Sequence, residues 1–401
     1  MKPRPYYLSQ LITFKDKKPI KFITGVRRCG KSSLLNLFES YLIEGGVPKE
    51  SIIRMNFESL EFDDIKNYKQ LNEYILKLIQ PDSMNYLLLD EIQQIEQWEK
   101  AINSLRLLKN TDIYITGSNA FLLASELSTL LSGRYAEIRM LPLSFKEFLN
   151  FYDLNTKGDI YAHFNLYLEL GGFPGVTELR EYPASINSLI SGIYNTIIMK
   201  DVIQRGTVRD PALLENVVRF LCGNIGKMVS TKSISDYLTS AGRKTTSDTI
   251  DNYLKILEDA FIFYRTRRYD LKGKLHLKTL GKFFVVDIGI RNNLIGFRNE
   301  DYGYTLENIV YFELLRRGYE VSIGKLGPLE IDFIATRPDK IIYYQVTASM
   351  LDDAVRNREL EPLRSIRDNY EKVVLSMDRT PVTDFNGIKN INLLDFLLNE
   401  E

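Results

Sequence analysis

Cysteine and histidine are scarce in this chain, and each scarcity excludes a class of chemistry. Two cysteines, Cys29 and Cys222, among 401 residues give no disulfide framework and suit a reducing cytosol. The two histidines, His163 and His276, lie far apart, so a histidine metal cluster or a Ser-His-Asp triad has no material. No apolar run approaches the roughly 18 residues that a membrane-spanning helix needs. The N-terminal Met-Lys-Pro-Arg-Pro-Tyr-Tyr lacks the apolar core of a secretion signal. The expectation is a cytoplasmic protein without a membrane partner. An excess of one charge is missing as well, because 52 Lys and Arg balance 52 Asp and Glu. Any basic surface for nucleic acid must therefore be local. Internal repeats, low-complexity tracts and long linkers are not seen, so the domains must abut.

What is present is the composition of a soluble globular chain, 44% hydrophobic and 26% charged, long enough for two or three domains. Its most informative stretch is Gly25-Val26-Arg27-Arg28-Cys29-Gly30-Lys31-Ser32, followed by Ser33. This fits G-x-x-x-x-G-K-[ST], the phosphate-binding loop. Pro19 to Thr24 reads as a strand entering the loop. Leu34, Leu35, Phe38, Tyr41 and Leu42 recur at helical spacing until Gly45-Gly46. Gly25 and Gly30 permit the backbone angles and close approach that the loop requires. Loop amides and the helix N-terminus converge on phosphate oxygens. Lys31 is expected to reach the β- and γ-phosphates of ATP, and the Ser32 hydroxyl to bind Mg²⁺. Cys29 reads as a small tolerated residue.

Further strands follow at Ser51 to Phe57 and Tyr86 to Glu91, with a helix around Leu71 to Leu78 between them. The run Tyr86-Leu87-Leu88-Leu89 has the continuous apolar character of a strand buried on both faces. It ends in Asp90 and Glu91. At the carboxyl end of a parallel strand beside a phosphate loop, Asp90 can hold Mg²⁺ through water and Glu91 can deprotonate the attacking water. Asp112 to Asn119 is another strand with a polar tip, where Ser118 and Asn119 are alternative sensors of the γ-phosphate. A helix over Ala120 to Leu131 leads to Arg134. That residue reads either as an arginine finger, in its own subunit or a neighbour, or as a structural arginine. Ser144 and Glu147 form a capping box after a strand from Glu137 to Leu143.

The ordered set Gly-x-Arg-Arg-x-Gly-Lys-Ser, Leu89-Asp90-Glu91-Ile92-Gln93, Thr116-Gly117-Ser118, Leu131 to Tyr135 and Pro142 to Phe148 resembles AAA+-superfamily ATPases of bacteria and archaea that carry a C-terminal domain of unknown function, DUF4143. The resemblance continues through Gly171-Gly172-Phe173-Pro174, Lys200-Asp201, Asp287-x-Gly289 and Glu330-Ile331-Asp332-Phe333. It implies an ATP-binding domain of the additional-strand type, with the sensor strand between the two strands that carry the phosphate loop and the acidic pair. It assigns no physical role to the glycine break or to Lys200-Asp201.

Downstream, helical residues rich in aromatics fill about 150 to 225. Over Met228 to Asp270 the order helix (capped by Ser230), turn at Gly242, helix (from Thr246 or Ser247) and ribbon is a winged-helix pattern. Its second helix carries Asp248, Asp251, Glu258 and Asp259, which phosphates repel. Lys244, Asn252, Lys255, Arg265, Arg267 and Arg268 are its offering to DNA, so DNA contact and protein docking both remain open. From Gly281 the order strand, helix, three strands, helix, strand contains the core of a restriction-endonuclease-like fold. Glu307 and Asp332 occupy acidic positions, but Gln345 and Thr347 stand where Glu-x-Lys belongs. The expectation is a domain without nuclease activity.

The resulting reading is α/β: a P-loop NTPase (AAA+-like) parallel sheet over 1–150, a helical lid with a winged-helix-like domain over 151–275, and an endonuclease-like α/β domain over 276–401. ATP and Mg²⁺ are the expected cofactors. DNA or a protein is the expected partner, and oligomerisation is open. The expected activity is ATP hydrolysis coupled to repositioning of the C-terminal domains; the alternatives are a DNA-binding module with structural ATP and an ATP-gated nuclease.

Overall fold

The computed structural model describes residues 2–118, 133–155, 158–206, 208–297, 299–379 and 382–399. The chain forms two compact units, the first comprising Met1–Pro142 with Asp259–Phe261 and the second Leu143–Glu258 with Ile262–Glu401.

In the first unit α1 (Pro5–Thr13) precedes β1 (Ile20–Thr24), α2 (Lys31–Glu44), β2 (Ile52–Asn56), α3 (Tyr68–Leu78), β3 (Asn85–Asp90), α4 (Trp98–Leu105), β4 (Thr111–Gly117) and β5 (Tyr135–Arg139). All five strands are parallel, in the order β2-β3-β4-β1-β5. Every residue of β1 and β3 is buried, as a sheet sandwiched between helices requires. Phe22, Leu87, Leu89, Ile113 and Ile115 pack with Leu71, Ile75, Trp98, Ile102 and Leu105. With β4 between β1 and β3, the sheet has the additional-strand order. The expected helix from Ala120 to Leu131 lies outside the described residues.

The amino-terminal edge of this sheet holds a buried polar network that sequence reading did not find. Lys21 ion-pairs with Asp112, and both are buried. Asp112 Oδ2 accepts from Tyr114 Oη at 2.9 Å and from the Asp16 amide at 2.8 Å. Burial raises the Tyr114 hydroxyl and lowers the Lys21 ammonium from their ordinary pKa values.

The second unit opens with α5 (Phe145–Phe151), whose capping box is as expected: the Glu147 amide donates to Ser144 Oγ at 3.1 Å and the Ser144 amide to Glu147 Oε2 at 2.9 Å. Then come α6 (Ile160–Leu170), α7 (Pro183–Thr196), α8 (Pro211–Gly223), β6 (Met228–Val229), α9 (Thr231–Ser240), α10 (Ser247–Asp259), β7 (Phe263–Asp270), β8 (Leu275–Val285), α11 (Ile288–Ile295), α12 (Tyr302–Arg316), β9 (Glu320–Leu326), β10 (Leu329–Arg337), β11 (Lys340–Thr347), α13 (Asp353–Ser365), β12 (Glu371–Ser376), β13 (Lys389–Asn392) and α14 (Leu393–Leu398). One eight-stranded mixed sheet runs β13-β12-β11-β10-β9-β7-β8-β6. The boundary drawn at 275/276 falls at the start of β8, inside the β7–β8 hairpin, so the residues on its two sides share this sheet. The strand expected from Phe283 to Val286 is the end of the longer β8.

Two motifs with no role in the sequence meet here. Asp287 caps α11, accepting the Gly289 amide at 2.9 Å, and its second oxygen accepts the Gly172 amide at 2.6 Å. A Cβ on Gly171 would lie 2.2 Å from Asp287 Oδ1, so the glycine break exists to let this carboxylate in. Burial pushes the Asp287 carboxyl up to about 6 against its three backbone donors. A carboxyl raised on folding favours the fold below its unfolded value of 3.8, and that contribution is lost as pH rises through about 6. Asp287→Ala orphans the buried amides of Gly172, Gly289 and Ile290, at about 1–3 kcal/mol each. Chemical denaturation should show that loss, together with a weaker fall in stability between pH 4 and 6 than in the wild type.

Candidate nucleotide site

The loop between β1 and α2 is built around close backbone approach. Gly25 has φ +142°, and a Cβ there would meet the Met140 carbonyl oxygen at 2.1 Å. Met140 is held by its amide donating to the Thr24 carbonyl at 2.7 Å. Arg4, buried at the start of α1, donates to the carbonyls of Cys29 (3.1 Å), Leu141 (2.8 Å) and Pro142 (3.3 Å). One arginine thus ties the loop to the segment that backs it. Nothing in the N-terminal sequence, two prolines around an arginine, signals that role.

Gly30 caps α2 in a left-handed conformation at φ +105°, so the free amides of the first helical turn begin at Lys31, Ser32 and Ser33. Lys31 is buried and its Nζ donates to the Gly25 carbonyl at 2.9 Å and the Val26 carbonyl at 3.2 Å. Its ammonium lies across the loop. Ser32 and Ser33 are half-buried and Arg28, at φ +69°, is exposed. Cys29 is fully buried, and burial raises its thiol pKa, which keeps it a neutral packing group.

The acidic pair stands at the carboxyl ends of the neighbouring strands. Asp90 is fully buried at the tip of β3. Thr116, at the end of β4, donates its hydroxyl to Asp90 Oδ1 at 2.5 Å and accepts the Glu91 amide at 2.9 Å. One hydroxyl therefore orders both members of the pair. The expected sensors, Ser118 and Asn119, lie two and three residues further on, and Thr116 was not among the expected site residues. Its signal was available: a Thr at the apolar strand's end, adjacent to the acidic strand.

Glu91 is in the left-handed region at φ +54° and buried. Its carboxylate accepts from Gln93 Nε2 and lies 4.0 Å from the Arg27 guanidinium, which also pairs with Glu58 at 2.8 Å. Gln93 Nε2 is 3.5 Å from Ser118 Oγ, while Gln93 Oε1 is shielded and has no partner among the described residues. Arg54 on β2 completes the surroundings, its Nη2 3.4 Å from Asp90 Oδ2 and 3.1 Å from Asn36 Oδ1. Ser118 is thus brought to the pair; Asn119 lies outside the described residues.

Arg134 is not brought there. It immediately precedes β5, where Tyr135 is paired with Ile20 at the start of β1, and its guanidinium is 3.5 Å from Asn103 on α4. The loop begins beyond Thr24, four residues along β1, which is about 13 Å of strand. Arg134 stands at the opposite edge of its own sheet from the phosphate loop, so the arginine-finger role within its own subunit does not fit this arrangement.

The residues fit a Mg²⁺–nucleoside triphosphate: a cradle that a Cβ would fill, a helix N-terminus, a buried ammonium and an ordered carboxylate pair at one edge. Fold and site define the class, a P-loop protein of the AAA+ type. Residues 17–149 match the AAA domain family. Residues 161–301 match a domain of unknown function, DUF8612, which corrects the expected DUF4143. An uncharacterized protein of Haemophilus influenzae is 44% identical over 398 residues, spanning 98% of both chains. The uncharacterized protein MJ1544 of Methanocaldococcus jannaschii is 28% identical over 394 residues, 95% of this chain and 82% of its own. The chain belongs to the family of the Haemophilus protein. Among solved structures, the Walker-type ATPase PABY2304 of Pyrococcus abyssi is 17% identical with a TM-score of 0.49, covering 73% of this chain and 96% of its own.

Thr116→Val removes the hydroxyl that orders the pair and leaves the Glu91 amide and Asp90 Oδ1 short of a partner. ATP turnover should fall at least about tenfold while nucleotide binding persists, and Thr116→Ser should restore it. Turnover and fluorescent-nucleotide binding on the same preparations test this, and unchanged turnover in the valine variant removes Thr116 from the site.

Proposed function

We propose that this protein is a Mg²⁺-dependent ATPase. The observation that carries the reading is the single hydroxyl of Thr116 joined to both Asp90 and Glu91, one strand away from the strand that feeds the phosphate loop. Lys31 and the amides from Gly25 to Ser33 bind the phosphates. Ser32 and Asp90 hold Mg²⁺, which when bound offsets the phosphate charge. Glu91 takes a proton from the attacking water, and Ser118 or Asn119 responds to the γ-phosphate. Gln93 and Arg27 hold the Glu91 carboxylate beside the loop meanwhile. Arg134 serves, in this reading, as a finger for a neighbouring subunit, since its own loop is at the far sheet edge.

Nucleotide state then repositions the residues beyond about 150, read as a lid with a winged helix and an endonuclease-like domain, on a nucleic acid or protein partner. The winged-helix reading is supported by the order α8-β6-α9-α10-β7-β8, with β6 and β7 both antiparallel to β8. Among the described residues no helix is long and apolar enough to cross a membrane.

Lys31→Ala should abolish ATP binding. Glu91→Gln should retain it and lose about 100-fold or more in turnover. Steady-state hydrolysis with and without DNA or RNA decides both points. Wild-type-like turnover in Glu91→Gln would remove Glu91 from the mechanism, and stimulation by nucleic acid would identify the partner class. Arg134→Ala should leave ATP binding unchanged and lower turnover only at concentrations where subunits associate.

A further inference from the structure

Strand β2 is the edge of the first sheet, and its side chains alternate between two sides. Ile53 and Met55 belong to the apolar core on one side, so Arg54 faces the other, where it meets α2. Its guanidinium finds three acceptors there. Nη1 donates to the Leu88 carbonyl at 3.4 Å, and Nη2 donates to Asn36 Oδ1 at 3.1 Å and to Asp90 Oδ2 at 3.4 Å. The Arg54 side chain is 20% exposed, and that of Asp90 is fully buried.

Two of the three acceptors are neutral. The guanidinium is therefore anchored by Leu88 and Asn36 whether or not Asp90 draws on it. Asn36 stands one helical turn beyond Ser32, on the same face of α2. The anchored charge thus lies between the face of α2 that carries Ser32 and the tip of β3 that carries Asp90. Those are the two residues to which the ATPase reading gives Mg²⁺. Both Asp90 oxygens are engaged, Oδ1 by the Thr116 hydroxyl and Oδ2 by Arg54. Glu91 in turn faces Arg27 at 4.0 Å. Each carboxylate of the pair has an arginine against it, and the Lys31 ammonium adds another positive charge across the loop.

A carboxylate matched by a fixed guanidinium attracts a divalent ion less than a bare one does. Mg²⁺ gives up its water reluctantly and relies on one or two carboxylates plus the phosphates of the nucleotide. We propose that Arg54 is a built-in competitor of Mg²⁺: its charge holds down the affinity of Asp90 for the ion, so that the metal binds only with the phosphates that bring it. Resting on the ATPase reading of the same site, this adds a residue outside the phosphate loop and the acidic pair that sets the metal requirement. An Arg54 that merely tied β2 to α2 would leave the metal unaffected.

The test is the binding of a fluorescent, non-hydrolysable ATP analogue to the full chain, once in EDTA and once in Mg²⁺. The affinity of Mg²⁺ for the free nucleotide is the same throughout. By linkage, the ratio of the two dissociation constants therefore tracks the affinity of Mg²⁺ for the protein-bound nucleotide. Removing a unit charge a few ångströms away should raise that ratio about tenfold in Arg54→Gln and Arg54→Met. Arg54→Lys keeps the charge and should stay within about twofold of the wild type. A loss of stability weakens binding in both buffers alike and does not move the ratio. Titration of the ADP-loaded chain with Mn²⁺, followed by electron paramagnetic resonance, should show the same gain in the uncharged variants. A ratio that is unchanged or lowered in those variants, or raised equally in Arg54→Lys, overturns the proposal and leaves the ATPase reading standing. Loss of binding in both buffers in the uncharged variants assigns Arg54 to the phosphates or the fold instead, and also overturns it. Wild-type protein that binds the nucleotide in neither buffer overturns the ATPase reading and the proposal together.

Discussion

The candidate nucleotide site depends on one buried hydroxyl. Thr116 Oγ1 has a single proton to give and gives it to Asp90, which leaves its lone pairs to take the Glu91 amide. Both functions are used, and the Thr116–Asp90 bond is shielded, since both residues are fully buried. A carboxylate without such a donor would be costly in this place. With it, Asp90 is fixed at the tip of β3, and Glu91 follows in the left-handed region at φ +54°.

That arrangement follows from the sheet. Parallel strands buried on both faces expose their polar groups only at the ends, so the β3 carboxylates, the β4 hydroxyl and the β1 loop must collect at the same carboxyl edge. The amino edge has the opposite character: Lys21, Asp112, Tyr114, Asp16 and Tyr86 satisfy one another there. Arg134 belongs to that edge by register. A reading from chain order alone could not separate the two edges, because Arg134 is only five residues from Arg139 at the other one.

The second unit shows the same separation between chain position and place. Asp287 and Gly172 are 115 residues apart and hydrogen-bonded. Lys282 precedes the helix and the strand that carry the carboxylates around it, α12 and β10, and it reaches them because the β7–β8 hairpin belongs to the same sheet as β9, β10 and β11. A domain boundary drawn between residues 275 and 276 places Lys282 next to a hinge. The sheet makes it part of an interior.

Local pattern was enough for the strand–glycine loop–helix order, the strands of the first sheet, the capping box at Ser144, the helix cap at Ser230, and the places of Lys31, Asp90 and Glu91 at the ends of their elements, because those rest on backbone geometry and on burial that neighbouring residues encode. It was not enough for Arg4, Thr116, Gln93, Asp287 or Lys282. Each acts by one polar atom meeting another from a distant segment, and residue type carries no record of which distant group folding will bring. Sheet order and register decided those meetings.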